Sequence, residues 1–485
     1  MNRRMIVYVL GRILLAEALL MLPSLAVGLI YGEGADAVRA FLPPILLLLG
    51  AGVLMGVKRP YDTVIYARDG FFVVATSWIL LSLFGALPLW FCGEFPTFWD
   101  CIFEIVSGFT PTGASVLSAP EVLPHSILFW RSFTHWIGGM GVLVFVLAVM
   151  PLSENRALHL MRAEVPGPVV GKLVPRMRET AKILYAVYTA LTAVLVILLL
   201  FGGMPLFDSL CYAFGTAGTG GFSISAAGVG AYDSAYIEII VGVFMLLFGV
   251  YFNLYYLILI GRAKEALRSE ELRWYLMIVL CAVLSIAANT YSLYQNTATS
   301  LRHAFFQVST IITTTGFATV DFANGWPLFS QTILLLLMVV GACAGSTGGG
   351  LKVSRLMLLI KTCRQEVRRL IHPRVVTVVR FEGKAVDTSL MRTTLTYFVM
   401  YVLILCVSTL LLSLDRADFL TSFSAELACF NNIGPGLGAV GPMGSYAAYS
   451  AWSKMLLSLN MLLGRLEIFP ILVLFSPGIW RGAMQ

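Results

Sequence analysis

Four turns rich in glycine and hydroxyl-bearing residues recur along the chain, and each follows a short apolar stretch. Backbone carbonyls in such turns can replace the water shell of a cation when several converge on one point. Glycine suits them because turning carbonyls inward requires backbone angles that other residues avoid. The turns read SGFTPTGASVL (107–117), AFGTAGTGGFS (213–223), STIITTTGFAT (309–319) and CFNNIGPGLGA (429–439). Aligning them brings into register Gly113, Gly220, Gly316 and Gly434.

The apolar stretches before these turns are predicted to be short helices that do not cross a membrane. They lie at 97–110, 206–217, 301–313 and 418–430. Stretches of about 10–14 residues fit re-entrant or interfacial segments, and non-helical backbone at membrane depth is tolerated only where it lines a watery cavity or is buried in protein. Four copies around a pseudo-fourfold axis would form rings of carbonyl oxygens about one pore. The alternative is surface turns between unrelated helices.

The composition indicates a polytopic membrane protein. Of the 485 residues, 58% are hydrophobic and only 12% are charged, and the mean hydropathy is +0.85. A soluble fold cannot hide so much apolar surface behind so few charges. These values argue against a disordered chain, a secreted disulfide scaffold and a free nucleic-acid binder. None of the eight cysteines forms a C-x-x-C pair, and the five histidines show no ligand spacing.

The apolar segments and the basic loops predict a topology. Ten segments are predicted to cross the membrane: 5–31, 42–57, 71–92, 128–150, 181–203, 235–260, 273–294, 328–345, 393–414 and 452–476. An even number places both termini on one side. Most of the 33 Lys and Arg residues lie in the alternate loops that include 151–182 and 352–392. The positive-inside rule therefore predicts cytoplasmic termini. The opposite loops carry net negative charge, which would concentrate cations there.

On these motifs the chain resembles the Trk/Ktr/HKT superfamily of potassium transporters. The resemblance extends from about residue 70 to 480 and rests on TPTGAS, TGGFS, TTTGFAT, NNIGPGLG, GACAGSTGGGLKVS and LGRLEIFP. Two additional N-terminal helices are similar to the TrkH branch. The resemblance implies an all-α polytopic membrane protein with four pseudo-symmetric helix–pore-loop–helix repeats around a central pore. The implied units are an extra helix pair at 1–60 and repeats at 71–150, 181–262, 273–362 and 393–480.

The resemblance also implies a filter for the transported ion, K⁺. Its ion-binding residues would be Pro111, Thr112, Gly113, Gly218, Thr219, Gly220, Thr314, Thr315, Gly316, Asn432, Ile433 and Gly434. Pro111 departs from the family, which usually has threonine at that position. Proline lacks the N–H that would brace the loop, so the departure bears on fine selectivity.

A second glycine cluster, GACAGSTGGGLK (341–352), interrupts the segment 328–345. Each glycine costs a helix about 1 kcal/mol relative to alanine, so a stiff helix is not expected there. The resemblance implies an intramembrane gate loop formed by Gly345, Ser346, Thr347, Gly348, Gly349 and Gly350. The alternative is a close helix crossing through small residues. Leu351 separates Gly350 from Lys352, which breaks the P-loop pattern, so no nucleotide is expected to bind this chain.

Arg465 is the other candidate gate residue. It lies midway along the apolar segment 452–476, where a charge is costly in a bilayer. The resemblance implies that it sits in the pore and opposes cation passage. The alternative is a structural ion pair, for which Glu467 is poorly placed because residues two apart do not share a helix face.

The basic loop 352–392 allows two interpretations. One is that the basic residues set the membrane topology and contact anionic lipid. The other, implied by the resemblance, is docking of a TrkA-type cytosolic nucleotide-binding subunit beneath a homodimer. No nucleic-acid partner is expected.

The leading hypothesis is therefore K⁺ uptake across a bacterial inner membrane. The alternative within transport is a secondary symporter that couples K⁺ to Na⁺ or H⁺. An intramembrane enzyme is not expected, because the sequence has no H-E-x-x-H, no G-x-S-x-G and no clustered carboxylates at helix ends.

Overall fold

The computed structural model describes residues 2–58, 60–61, 66–141, 177–374, 378–415 and 417–475, and almost all of its regular structure is helical. The helices are α1 (Arg3–Ile30), α2 (Gly34–Gly56), α3 (Ala67–Gly85), α4 (Leu87–Cys92), α5 (Phe98–Phe109), α6 (His125–Gly139), α7 (Met177–Phe201), α8 (Leu206–Gly218), α9 (Ala235–Phe248), α10 (Phe252–Leu259), α11 (Ala263–Leu267), α12 (Glu270–Tyr294), α13 (Thr297–Ile312), α14 (Phe322–Gly325), α15 (Leu328–Val340), α16 (Val353–Ile371), α17 (Thr388–Leu412), α18 (Phe419–Phe430), α19 (Ala451–Arg465) and α20 (Phe469–Leu474). One antiparallel hairpin joins β1 (Arg380–Phe381) to β2 (Lys384–Ala385).

Within the residues that the structure describes, six apolar helical segments are long and straight enough to cross a membrane. They are Arg3–Ile30, Gly34–Gly56, Arg68–Cys92, Ala181–Phe201, Glu270–Tyr294 and Thr388–Asp415. Their outward side chains include large exposed hydrophobic residues such as Leu54 and Phe201. An apolar exterior of this kind is stable in hydrocarbon, which is as apolar as leucine. The chain is a multi-pass membrane protein.

The four remaining predicted crossings are not continuous long helices in the described residues. They correspond to α6, α9, α15 and α19, which have 15, 14, 13 and 15 residues. At about 1.5 Å per residue they are about 20–23 Å long, short of a hydrocarbon core of about 30 Å. α9 turns through 91° into α10. The rest of the predicted segment 128–150 and most of loop 151–182 lie outside the described residues, as does the chain end after 475.

The short helices agree with the prediction. α5, α8, α13 and α18 occupy the four apolar stretches and have 12, 13, 16 and 12 residues. Each is preceded by a long helix and followed by a turn and one of the shorter second helices. Acidic groups lie at three of their N-termini, as expected for the positive end of a helix dipole: Asp100 and Asp208 in first turns and Asp418 as an N-cap.

The N-terminal helix pair packs on the outside of the first unit. α1 and α2 approach closely because glycines leave room for the partner helix, as Gly11 does beneath Met55. α1 also buries Leu14 and Met21 in the same hydrophobic cluster as Trp78 and Trp130. Two further hydrophobic clusters form most of the cores of the second and third units.

Candidate functional site

The turns after the four short helices share one backbone hydrogen bond. In each, one amide N–H donates across five residues to a carbonyl in the last turn of the short helix, always at 2.8 Å. The four bonds are Thr112 N to Ser107 O, Gly220 N to Gly215 O, Thr315 N to Thr310 O, and Ile433 N to Ala428 O. We call the residues 111–113, 219–221, 314–316 and 432–434 the loop ring.

This hydrogen bond corrects the register of the second loop by one residue. The residue after each donor is a glycine in the left-handed region, with φ of 81°, 75°, 87° and 95° at Gly113, Gly221, Gly316 and Gly434. The glycine equivalent to the other three is therefore Gly221, whereas the sequence alignment selected Gly220. Gly218, predicted as part of the loop, is the last residue of α8. The adjacent glycines in TGG made the two registers indistinguishable by composition.

The four loops contact one another in a closed cycle. A side-chain carbon at any of the four glycines would overlap or crowd a carbonyl oxygen of the next loop. Gly113 faces Gly220 O, Gly221 faces Thr315 O, Gly316 faces Ile433 O, and Gly434 faces Thr112 O. Both the positive φ and the close approach therefore require glycine. A cavity of about 100 Å³ is lined by residues of all four loops.

The first loop differs from the others at one position. Thr219, Thr314 and Asn432 adopt positive φ angles of 58°, 58° and 55°. Pro111 occupies the equivalent position, and its ring fixes φ near −65°. The first loop is instead braced from its neighbour in the cycle, because Asn432 Nδ2 donates to Thr112 Oγ1 at 3.0 Å.

The glycine cluster after α15 forms a non-helical break that lies against the loop ring. We call residues 341–352 the glycine break. Gly349 N donates to Thr314 Oγ1 at 2.6 Å. A side-chain carbon at Gly348 would lie 2.9 Å from Thr313 O, and one at Gly349 would overlap Asn431 O. The residues predicted as a gate loop therefore pack directly beneath the third and fourth loops.

Arg465 is buried at the end of α19 and reaches two other units. Its Nη1 donates to Thr347 O at 2.8 Å, and its Nη2 donates to Gly138 O at 2.5 Å and to Gly139 O at 2.6 Å. The guanidinium thus joins the fourth unit to the glycine break and to the end of α6. The space beside it, lined by Gly348–Gly350, Lys352 and Glu467, is about 10 Å³, which is about one water-sized sphere.

Glu467 pairs with a different arginine. Its Oε2 lies 2.5 Å from Arg355 Nη2, and that guanidinium lies 4.0 Å from the centre of the Tyr397 ring. Glu467 and Ile468 both have positive φ, which ends α19. The Arg355–Glu467 pair therefore fixes the break after α19 to the first turns of α16.

Comparison with known proteins assigns the family. Residues 45–481 match the TrkH family, described as a cation transport protein. The chain belongs to the TrkH family. It is 38% identical to the Trk system potassium uptake protein TrkH of Salmonella typhimurium strain LT2, over 99% of this chain and 100% of that one. It is 36% identical to TrkG of Escherichia coli K12, over 99% of both chains.

A solved structure agrees with this assignment. The crystal structure of the potassium transporter TrkH from Vibrio parahaemolyticus superposes with a TM-score of 0.89 at 34% identity and covers 99% of this chain and 100% of that one. These relatives are transporters, so this TrkH family member is a transport protein rather than an enzyme.

Two buried charged residues brace the loop ring of this TrkH family member, and the sequence analysis missed them. Arg131 Nη2 lies 2.5 Å from Glu104 Oε1, and both side chains are inaccessible to solvent. Glu104 Oε2 also accepts from Val116 N at 3.0 Å, just beyond the first loop. The Arg131 guanidinium lies 4.2 Å above the Phe222 ring, next to Gly221. A charge buried in an apolar segment was the signal that could have identified Arg131.

His135 connects the first and second loops and was also missed. Its Nδ1 lies 2.8 Å from Gly108 O, and its Nε2 accepts a hydrogen bond from Phe222 N at 3.2 Å. The side chain is fully buried. Accepting at Nε2 requires the neutral imidazole with its proton on Nδ1. No motif spacing marked this histidine, because it acts on backbone groups that only the fold brings together.

The described residues offer backbone oxygens rather than a conventional metal centre. No group of three or more His, Cys, Asp and Glu side chains is placed to hold a metal ion within the part of the chain that the structure describes. The carbonyls of the loop ring are of the chemical type that coordinates a desolvated alkali cation.

Proposed function

We propose that this TrkH family member takes up K⁺ across the inner membrane through the loop ring. The observation that carries the proposal is the closed cycle of contacts that converges the carbonyls of Thr112, Gly220, Thr315 and Ile433. The relatives named as potassium uptake proteins support K⁺ as the ion. We assign ion binding to carbonyls of the loop ring, with Gly221 replacing Gly220 as the filter glycine of the second loop.

The short helices favour a cation at the same place. Each of α5, α8, α13 and α18 ends at the loop ring, so the negative ends of four helix dipoles converge there. The effect falls off within the last turn of a helix, and the loop ring begins within two residues of each helix end. A desolvated anion would be repelled at this position.

We assign the gate to the glycine break and Arg465. The glycine break bonds the third loop of the ring, Arg465 bonds the glycine break, and the space beside Arg465 is about 10 Å³, which is smaller than a hydrated ion. At an effective dielectric constant of about 20, a unit charge about 4 Å away raises the energy of K⁺ by about 4 kcal/mol. A barrier of that size would slow passage roughly a thousandfold, which is the scale of the effect that we assign to Arg465.

The basic residues of 352–392 support cytoplasmic termini and a cytosolic partner. Arg364, Arg368 and Arg380 are exposed around a groove beside the hairpin. We assign this face to contact with anionic headgroups and to docking of a TrkA-type nucleotide-binding subunit beneath a homodimer. Nucleotide control would then reach the gate through the partner.

One observation favours the coupled symporter as a second candidate. Glu17 of α1 is buried beside Gly85, at the first unit, and neither carboxylate oxygen has a hydrogen-bond partner among the described residues. Intramembrane carboxylates of this kind mark proton or ion pathways in transporters. If coupling operates through it, Glu17→Gln will abolish any dependence of K⁺ entry on Na⁺ or pH.

The proposed function is tested by cation flux into liposomes that contain only the purified protein. Rb⁺ and Na⁺ entry are compared under an imposed K⁺ gradient, with and without a Na⁺ or pH gradient. Rb⁺ entry well above Na⁺ entry that follows the K⁺ gradient alone supports the selective pore. Arg465→Ala is measured in parallel to remove the closed gate. Absence of Rb⁺ entry in that variant would contradict the proposal.

A further inference from the structure

A single buried carboxylate holds both sides of the glycine break. Glu271 lies in the first turn of α12, and its Oε1 accepts hydrogen bonds from Ala344 N at 2.8 Å and from Ser354 N at 3.1 Å. Ala344 lies in the glycine break, and Ser354 lies in the first turn of α16. A first-turn N–H has no partner within its helix, so the carboxylate also caps α16.

The position of Glu271 depends in turn on a residue of the β1–β2 hairpin. Glu382 Oε1 accepts from Ser269 Oγ at 2.8 Å, from Glu270 N at 2.9 Å and from Glu271 N at 3.1 Å. These are the groups that begin α12. A carboxylate at this position satisfies unpaired N–H groups and complements the helix dipole. Glu382 therefore fixes the backbone from which Glu271 extends.

The backbone of Glu382 is an unusual place for glutamate. The two turn residues, Glu382 and Gly383, have φ of 50° and 74°. Two-residue hairpins with positive φ at both positions prefer Asn, Asp or Gly at the first of them. A non-glycine residue in this region persists where the surrounding structure over-determines it, and such sites are often functional. The three hydrogen bonds to α12 are the compensating contacts.

A lysine of α16 contacts both the start of α12 and the hairpin. Lys361 Nζ of α16 contacts Glu270 Oε1 at 2.5 Å and donates to Arg380 O of the hairpin at 2.8 Å. The hairpin, the start of α12 and the helix that leaves the glycine break are thus joined by side chains from three separate segments.

We propose that Glu271 is a positioning residue for the glycine break, and that Glu382 acts on the break through Glu271. This inference rests on the proposed function, because it assigns the hairpin a role in the gate. The hairpin then connects the basic face, where a partner would bind, to the barrier beneath the loop ring. The connection consists of two side-chain contacts: Glu382 with the start of α12, and Glu271 with Ala344 of the glycine break.

Thiol accessibility tests the positioning role without using transport. Cys343 lies in the glycine break and is 1% exposed, so a maleimide reacts with it only if the break moves. Full-length Glu271→Ala, Glu271→Gln and Glu382→Ala are labelled in liposomes, and modification is read at each cysteine by mass spectrometry. We expect labelling of Cys343 to rise at least about tenfold in Glu271→Ala, equivalent to about 1.4 kcal/mol. The matched control is Glu366→Gln, since Glu366 pairs with Arg369 on an exposed surface.

Rb⁺ entry and a double variant complete the test. Glu271→Ala and Glu382→Ala should each raise basal Rb⁺ entry, and Glu382→Ala should add nothing in the Glu271→Ala background, because both act on one element. Unchanged Cys343 labelling in both Glu271 variants, or additive effects in the double variant, would overturn the inference. Increased labelling without increased entry would sustain the positioning role and contradict the break as the barrier. Failure of Arg465→Ala to conduct would contradict the proposed function alone.

Discussion

Asn432 and Thr112 join the last loop of the ring to the first, through a 3.0 Å hydrogen bond from Nδ2 to Oγ1. The same Nδ2 donates to Met461 O at 2.9 Å, so the amide also anchors the fourth loop to α19. This bond closes the cycle at the loop that contains Pro111. We expect Asn432→Ala to lower the Rb⁺/Na⁺ flux ratio severalfold, because a buried hydrogen bond is worth about 1–3 kcal/mol when one partner is left unpaired. Asn324→Ala, at an exposed position, is the control. Asn431→Ala is unsuitable as a control because the Asn431 side chain bonds Tyr401.

The glycines of the ring should be sensitive to the smallest side chains. Gly113→Ser and Gly316→Ser place an atom against a neighbouring carbonyl oxygen and strain a positive φ. We expect each to reduce discrimination between Rb⁺ and Na⁺ in liposome flux, with the protein still folded by size-exclusion chromatography. Gly325→Ser, which has open space around it, serves as the control. Unchanged discrimination in both ring variants would count against the filter assignment.

Removal of the Arg465 guanidinium should open a conducting path. Arg465→Ala eliminates three hydrogen bonds to Thr347, Gly138 and Gly139 and a positive charge beneath the ring. We expect basal Rb⁺ entry to rise by at least tenfold, within the roughly thousandfold limit set by about 4 kcal/mol of repulsion. Arg262→Ala removes an exposed arginine outside the basic face and should leave entry unchanged. Flux at or below that of the parent protein, at matched expression and folding, would refute a blocking role.

Deletion of residues 345–350 should also raise basal Rb⁺ entry. It removes the segment that packs beneath the third and fourth loops, including the hydrogen bond from Gly349 N to Thr314 Oγ1. Rb⁺ entry is measured in liposomes against the parent. A deletion variant that is folded and closed would establish that the glycine break is not the barrier.

His135 should govern how the first two loops fit together. His135→Phe keeps an aromatic ring of similar size but loses the bonds to Gly108 O and Phe222 N. We expect a lower Rb⁺/Na⁺ ratio with little change in total flux, because the loops lose their alignment while the gate is untouched. His372→Phe, at an exposed site, is the control. A ratio equal to that of the parent would assign His135 to packing alone.

The sequence predicted the repeated short helices because length and apolarity distinguish them from crossings. It did not predict the length of the second helices, since apolar residues continue on both sides of Glu467 and Ile468, where the backbone leaves the helix. The predicted register of the second loop was wrong by one residue. Gly220 and Gly221 are adjacent, and only the hydrogen-bond pattern shows which of them is equivalent to the glycines of the other loops. Glu271 and His135 were invisible because their partners are backbone groups distant in the chain. The roles of Arg465 and the glycine break stay predictions.

The four quadrants of the loop ring belong to one polypeptide, and different contacts brace them. Asn432 of the fourth loop bonds Thr112 of the first, His135 bonds Phe222 beside the second, and Thr314 of the third bonds Gly349. In a pore built from four identical subunits, every substitution is introduced four times. Here a substitution changes one quarter of the ring and leaves the other three loops as they were. A proline in the first loop is therefore compatible with three other loops that retain a residue of positive φ.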